Sequence, residues 1–170
     1  MYYAEKTWAD DLELLGRAGV EPRLINLVRD PRDVAASVRA FDEKRGHFGF
    51  GRLHDQTDAE FLAVLVGRMK QGLERMHRRA IRHDHAWVRY EDLVRDPDRV
   101  ALRLSTWLGV ELSADGGAPR GRDYRRHSTT KSQAASIGRW RKDLSSSDIA
   151  IIEMGLGGEM LRLGYSDNER

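Results

Sequence analysis

Residues 23–40, Arg-Leu-Ile-Asn-Leu-Val-Arg-Asp-Pro-Arg-Asp-Val-Ala-Ala-Ser-Val-Arg-Ala, constrain the fold more than any other stretch. Leu24, Ile25, Leu27 and Val28 form a short apolar run with abrupt polar ends, the pattern of a strand buried on both faces. A helix follows with no linker. Asp30 is placed to cap it, Pro31 fits the first helical position, where no N–H is needed, and Asp33 adds negative charge to the first turn. Val34, Val38 and Phe41 recur at helical spacing, so that face is expected to pack on the sheet. Ser37 lies about 60° round from Val34, on the margin of this stripe, and Arg32 is expected to point away from it. Arg29 closes the strand at its carboxyl end, where open α/β sheets bind ligands.

The pattern returns at residues 86–108. Ala86 to Tyr90 read as a second strand, followed by Asp96 as a cap, Pro97, and Val100, Leu104, Trp107 and Leu108 on one helical face before Gly109 stops it. Between the two units, Thr57-Asp58-Ala59-Glu60 is a capping box that opens a long amphipathic helix through Phe61, Leu62, Leu65, Val66, Met69, Leu73 and Met76. Upstream, Thr7 can cap a helix with Asp10, its apolar face made by Trp8, Leu12 and Leu15. Lys6 then stands just outside a helix N-terminus, where its ammonium and the free N–H groups can converge on one anion. Ser147 or Asp148 is expected to cap a last helix with Ile149, Ile152, Leu156 and Leu163 buried, weakened by Gly155, Gly157 and Gly158. Residues 42–56 read as a loop that helps form an acceptor pocket, and residues 111–136 as a long polar loop.

Charge narrows the function. Lys plus Arg number 29 against 27 Asp plus Glu, so a polycation is excluded, but the cations cluster: Arg120, Arg122, Arg125, Arg126, Lys131, Arg139, Arg141 and Lys142 face only Asp123 and Asp143. A local basic segment suits phosphate or sulfate on a ligand better than nucleic-acid tracking, and no nucleic-acid partner is expected. His83-Asp84-His85 has no third ligand at recognisable spacing, so no metal site is expected. Gly49-Phe50-Gly51 lacks both a preceding strand and a third glycine, which excludes the dinucleotide fingerprint. There is no cysteine. With no apolar leader, and only the short run Ile149 to Ile152 elsewhere, the expectation is a soluble, cytoplasmic chain with no membrane partner.

Leu27 to Ser37 resembles the 3′-phosphate-binding strand and helix of the sulfotransferases that use 3′-phosphoadenosine-5′-phosphosulfate (PAPS). Val88-Arg89-Tyr90-Glu91-Asp92-Leu93 with Asp96-Pro97, and the Gly-Arg-Trp of Ser136 to Leu144, resemble two further elements of that family. The resemblance implies an α/β, P-loop-NTPase-like parallel sheet flanked by helices and PAPS as co-substrate without a metal. It implies that Arg29 and Ser37 hold the 3′-phosphate and that Tyr90 lies near the adenine. It also implies that a late loop closes over the nucleotide, with Lys131, Ser132, Arg139 and Arg141 as its unranked candidate contacts. Lys6 corresponds to the catalytic lysine that approaches the moving sulfuryl group, although Trp8 stands where the family often has proline.

No Gly-x-x-x-x-Gly-Lys-Ser/Thr and no Pro-Lys-Ser-Gly-Thr-like stretch occurs in the sequence, and only two strands are readable. Residues 1–170 are therefore expected to form one domain, the C-terminal portion of a full sulfotransferase fold with few strands. The expected reaction is sulfuryl transfer to a hydroxyl or amine of a small-molecule or glycan acceptor. A homo-oligomer, or a chain supplying the missing N-terminal elements, is an expected partner. The alternative is a non-catalytic, truncated nucleotide-binding or oligomer-forming module.

Overall fold

The computed structural model describes residues 9–114 and 128–165. In chain order the elements are α1 (Ala9–Arg17), β1 (Leu24–Val28), α2 (Pro31–Arg45), α3 (Asp58–Ala80), β2 (His85–Arg89), α4 (Tyr90–Arg95) and α5 (Pro97–Leu108). A 3₁₀ turn (Ala134–Ser136), α6 (Trp140–Asp143) and α7 (Ser146–Arg162) complete the described chain. The expected cap at Thr7, and Trp8 with it, lie outside the described residues.

β1 and β2 pair in parallel, in a register running from Leu24 opposite His85 to Val28 opposite Arg89. Parallel neighbours need a crossover, supplied here by α2 and α3. The expectation that β1 is buried on both faces is corrected: Leu24 and Val28 are buried, whereas Ile25 and Leu27 are each 49% exposed. Among the described residues β1 has one strand neighbour and a covered layer on one side only, so its odd-numbered side chains meet solvent.

The core lies where α2, α3 and α7 meet. Phe61, Leu62, Leu65 and Val66 of α3 pack with Ile152, Leu156 and Met160 of α7, and Ala35, Ala36 and Val38 of α2 close the cluster. α7 runs unbroken through its three glycines, and Gly155 explains why one is there. A Cβ at that position would stand 2.3 Å from Val66 Cγ1, so its absence lets the two long helices approach closely. The cap of α7 is Ser145, not Ser147 or Asp148: its hydroxyl accepts from Asp148 N, and the Asp148 carboxylate reaches back to Ser145 N in a full capping box.

Other local chemistry matches the sequence pattern. Thr57 and Glu60 form the capping box of α3, and Gly109 ends α5 at φ 71°. α2 continues through residues 42–45, which the polar composition had suggested were loop, and stops at Gly46 with φ 68°. Of the apolar face of α5, only Val100 is fully buried. No helix among the described residues is long and apolar enough to cross a membrane.

Candidate functional site

The first turn of α2 is held by charges that find one another inside the fold. Asp30 caps the helix by accepting from Arg32 N at 2.9 Å, and the same carboxylate takes the Arg32 guanidinium through Nη2 at 2.9 Å. Arg32 Nη1 donates to Glu153 at 3.1 Å, and the guanidinium lies 4.0 Å from the centre of the Trp140 ring. Arg32 is thus 2% exposed, which corrects the expectation that it points away from the packed side. Trp140 and α7 cover the flank of α2 that a lone helix would leave in water.

Two more carboxylates complete the arrangement. Glu91 accepts from Asp30 N at 3.0 Å with one oxygen and from the Tyr165 hydroxyl at 2.9 Å with the other. Burial, with Glu91 beside it, pushes the Tyr165 hydroxyl far above its ordinary range, so it stays a donor. Asp33 accepts from Gly138 N at 2.6 Å and from Trp140 N at 3.0 Å, one N–H on each oxygen. Burial raises the pKa of this carboxyl, while the two N–H groups oppose the rise.

Asp33 thereby fixes the late segment beside the strand end, and that segment meets Arg29. Arg29 Nη2 donates to the Ser136 carbonyl at 2.6 Å, and its guanidinium lies 4.7 Å from the centre of the Tyr90 ring. The Tyr90 hydroxyl pairs with Ser136 Oγ at 3.2 Å, and Ser136 Oγ donates to Gln133 O at 2.6 Å. Tyr90 opens the short α4 directly after β2, so the parallel register brings both strand ends to one cavity.

That cavity has a volume of about 440 Å³. Arg29, Ser37 and Tyr90 line it together with the hydroxyl residues Ser128, Thr129 and Thr130. Val34, Val38 and Phe41, expected on the sheet, form part of its apolar wall. The Ser37 side chain makes no hydrogen bond among the described residues, and of the Arg29 guanidinium nitrogens only Nη2 has a partner there. A basic fork with unused donors, a free hydroxyl and an aromatic ring suit a phosphorylated nucleotide.

The remaining sequence candidates are placed differently. Arg139 donates to Asp143 at 2.5 Å and to Thr129 Oγ1 at 2.8 Å, so it braces the cavity wall from behind. Lys131 is exposed, Ser132 Oγ accepts from Ala135 N at 3.1 Å, and the Arg141 guanidinium stacks 4.4 Å from the Trp140 ring centre. None of these three lines the cavity. Lys6 lies outside the described residues. Asp84, in the histidine-flanked triplet, accepts from Trp107 Nε1 at 3.0 Å and pairs with Arg23 at 3.2 Å. The sequence reading missed the three wall hydroxyls at 128–130, whose only signal is a Ser-Thr-Thr run inside the basic segment.

A sequence model of the sulfotransferase family matches residues 9–114. The chain is 29% identical to carbohydrate sulfotransferase 1 of Mus musculus over 88% of its length, and that match covers 41% of the relative. The carbohydrate sulfotransferase 1 proteins of Rattus norvegicus and Homo sapiens are each 28% identical over the same shares. The chain therefore spans about two-fifths of the length of these relatives. No solved structure matches it.

Proposed function

The chain belongs to the sulfotransferase family, and on that premise we propose that it takes part in sulfuryl transfer from PAPS to a hydroxyl or amine of a glycan or small-molecule acceptor. Such a transfer needs positioning and positive charge around a loose transition state more than covalent catalysis, and no metal is required for it. Arg29 and Ser37 anchor the 3′-phosphate in this reading, and Tyr90 lies against the base. The Thr129 hydroxyl, which accepts from Arg139, keeps its proton as a neutral donor, the Ser128 and Thr130 hydroxyls donate to backbone carbonyls, and Arg139 holds that wall in place. Lys6 stabilises the moving sulfuryl group. When bound, PAPS supplies the sulfuryl group; Arg29, Ser37 and Tyr90 bind and orient its nucleotide end, and Lys6 alone is assigned to the sulfuryl end.

The sheet in this reading is part of a P-loop-like fold. Two strands alone are marginal, so a further strand, from an upstream segment, a second copy or another chain, pairs with the open edge of β1. The observation that carries the nucleotide assignment is that Arg29 and Ser37 line the same cavity, with Arg29 Nη1 and the Ser37 hydroxyl making no hydrogen bond among the described residues. Titration with 3′-phosphoadenosine-5′-phosphate tests it. The expected result is measurable binding that falls about 10- to 100-fold in Arg29→Ala, the scale of losing a charge-assisted hydrogen bond. Equal affinity in both proteins removes Arg29 from the site.

A further inference from the structure

The stripe of α2 that carries Ser37 does not end at the cavity. Ser37, Phe41 and Lys44 follow one another at spacings of four and three residues, so they share one face of the helix. Ser37 and Phe41 line the nucleotide cavity, and Lys44 stands about 10 Å beyond Ser37 along the axis, at 1.5 Å per residue. From there its ammonium donates to the Ser128 carbonyl at 2.6 Å. One helix thus supplies both a cavity hydroxyl and a tie to another wall of the same cavity.

That wall has no regular structure to fix it, since residues 128–133 form neither helix nor strand. Its internal bonds are local: Ser128 Oγ donates to Thr130 O at 2.6 Å, and Thr130 Oγ1 donates to Ser132 O at 2.8 Å. Such bonds shape a segment without locating it on the protein, and a segment shaped that way opens at small cost. Arg29 and Asp33 hold residues 136, 138 and 140, further along the chain. Arg139, which donates to Thr129 Oγ1 at 2.8 Å, lies only ten positions away, in the same late stretch as the wall. Lys44 is 84 positions from Ser128, and its bond refers the wall to the helix that carries Ser37.

We propose that Lys44 is a positioning residue for the nucleotide cavity: by holding the Ser128 carbonyl it sets how far the 128–130 wall stands from Ser37 and Arg29, and so how long a 3′-phosphorylated nucleotide is retained. It does this without touching the nucleotide. The proposal rests on the nucleotide reading and adds to it a residue that does not line the cavity.

The test uses Lys44→Met, which keeps the length of the stem and removes the ammonium, and Lys44→Arg, which keeps a charged donor. Association and dissociation of 3′-phosphoadenosine-5′-phosphate are followed by stopped flow, and the Thr129 and Thr130 amides by ¹⁵N resonance in the nucleotide-free chain. Lys44→Met is expected to shift those two resonances and to raise the Kd about fivefold, the scale of one hydrogen bond, through faster dissociation. Lys44→Arg should recover most of that loss. The denaturation midpoint should stay at the parent value, because Lys44 is exposed. Arg75→Met, which removes an exposed cation of α3 that does not line the cavity, should bind as the parent does. Equal affinity in Lys44→Met and the parent, a loss that Lys44→Arg does not recover, or the same loss in Arg75→Met overturns the proposal and leaves the nucleotide reading standing. No binding by the parent overturns the nucleotide reading and the proposal with it.

Discussion

Arg32 and Arg29 stand three residues apart on either side of the same cap, and the fold uses them in opposite ways. Arg32 is closed off: Asp30, Glu153 and the Trp140 ring take its guanidinium, and the surrounding N–H groups and carboxylates are matched through Asp33 and Glu91. Among the described residues the Arg29 guanidinium makes one hydrogen bond, to a carbonyl, and it lines a cavity. The contrast teaches that charge at a strand-to-helix joint is not by itself a sign of binding. A charge whose partners are complete holds the scaffold, and one whose partners are incomplete marks where a ligand adds something.

The largest effect that sharpens this contrast is expected from Arg32→Ala. It strands Asp30 and Glu153 without their partner and should lower unfolding free energy by about 3–5 kcal/mol in a denaturant titration. A loss under about 1 kcal/mol would place Arg32 with Arg29 on the binding side of the divide. Arg29→Ala should do the reverse, costing about 1.5–3 kcal/mol of nucleotide affinity while leaving the denaturation midpoint nearly unchanged.

Next in size is Asp33→Asn. Each Asp33 oxygen accepts one N–H, and an amide offers only one acceptor, so either Gly138 N or Trp140 N loses its partner. A loss of about 1–3 kcal/mol of stability is expected, together with weaker nucleotide binding because the Ser136 carbonyl shifts under Arg29. Unchanged affinity would separate the clasp from the cavity.

Gly155→Ala sets about 1 kcal/mol of gained helix propensity against about 1–3 kcal/mol of overpacking on Val66, for a net loss near 1 kcal/mol. The smallest effect concerns acid. The Arg39 guanidinium lowers the Asp148 pKa, so this carboxylate adds stability above the unfolded carboxylate range, and that stability is lost as pH falls through the depressed folded value. Melting temperature should drop less steeply below about pH 4 in Asp148→Asn than in the parent chain.

Much of the fold could be read in advance where the cause is local. Asp30-Pro31, Thr57 to Glu60 and Gly109 act within four residues of themselves, and each does what its chemistry demands. Arg29, Ser37 and Tyr90 do share a cavity, since the parallel register brings the two strand ends together. What escaped the sequence depends on distant partners. Arg32 is buried by residues more than 100 positions away, which no helical wheel contains. The exposed Ile25 and Leu27 follow from how many layers surround β1, and an apolar run cannot count them. The cap of α7 was misplaced because three consecutive serines, 145–147, compete, and only the one three residues before Asp148 can close the box.

Glu91 carries a practical consequence. Its two oxygens join the backbone at Asp30 to the hydroxyl of Tyr165, so the far end of the described chain is wired to the start of α2. Shortening a recombinant version to Leu163, or letting a protease trim it there, would strand a buried carboxylate against the first turn of α2. Damage done at the tail would be felt at Arg29.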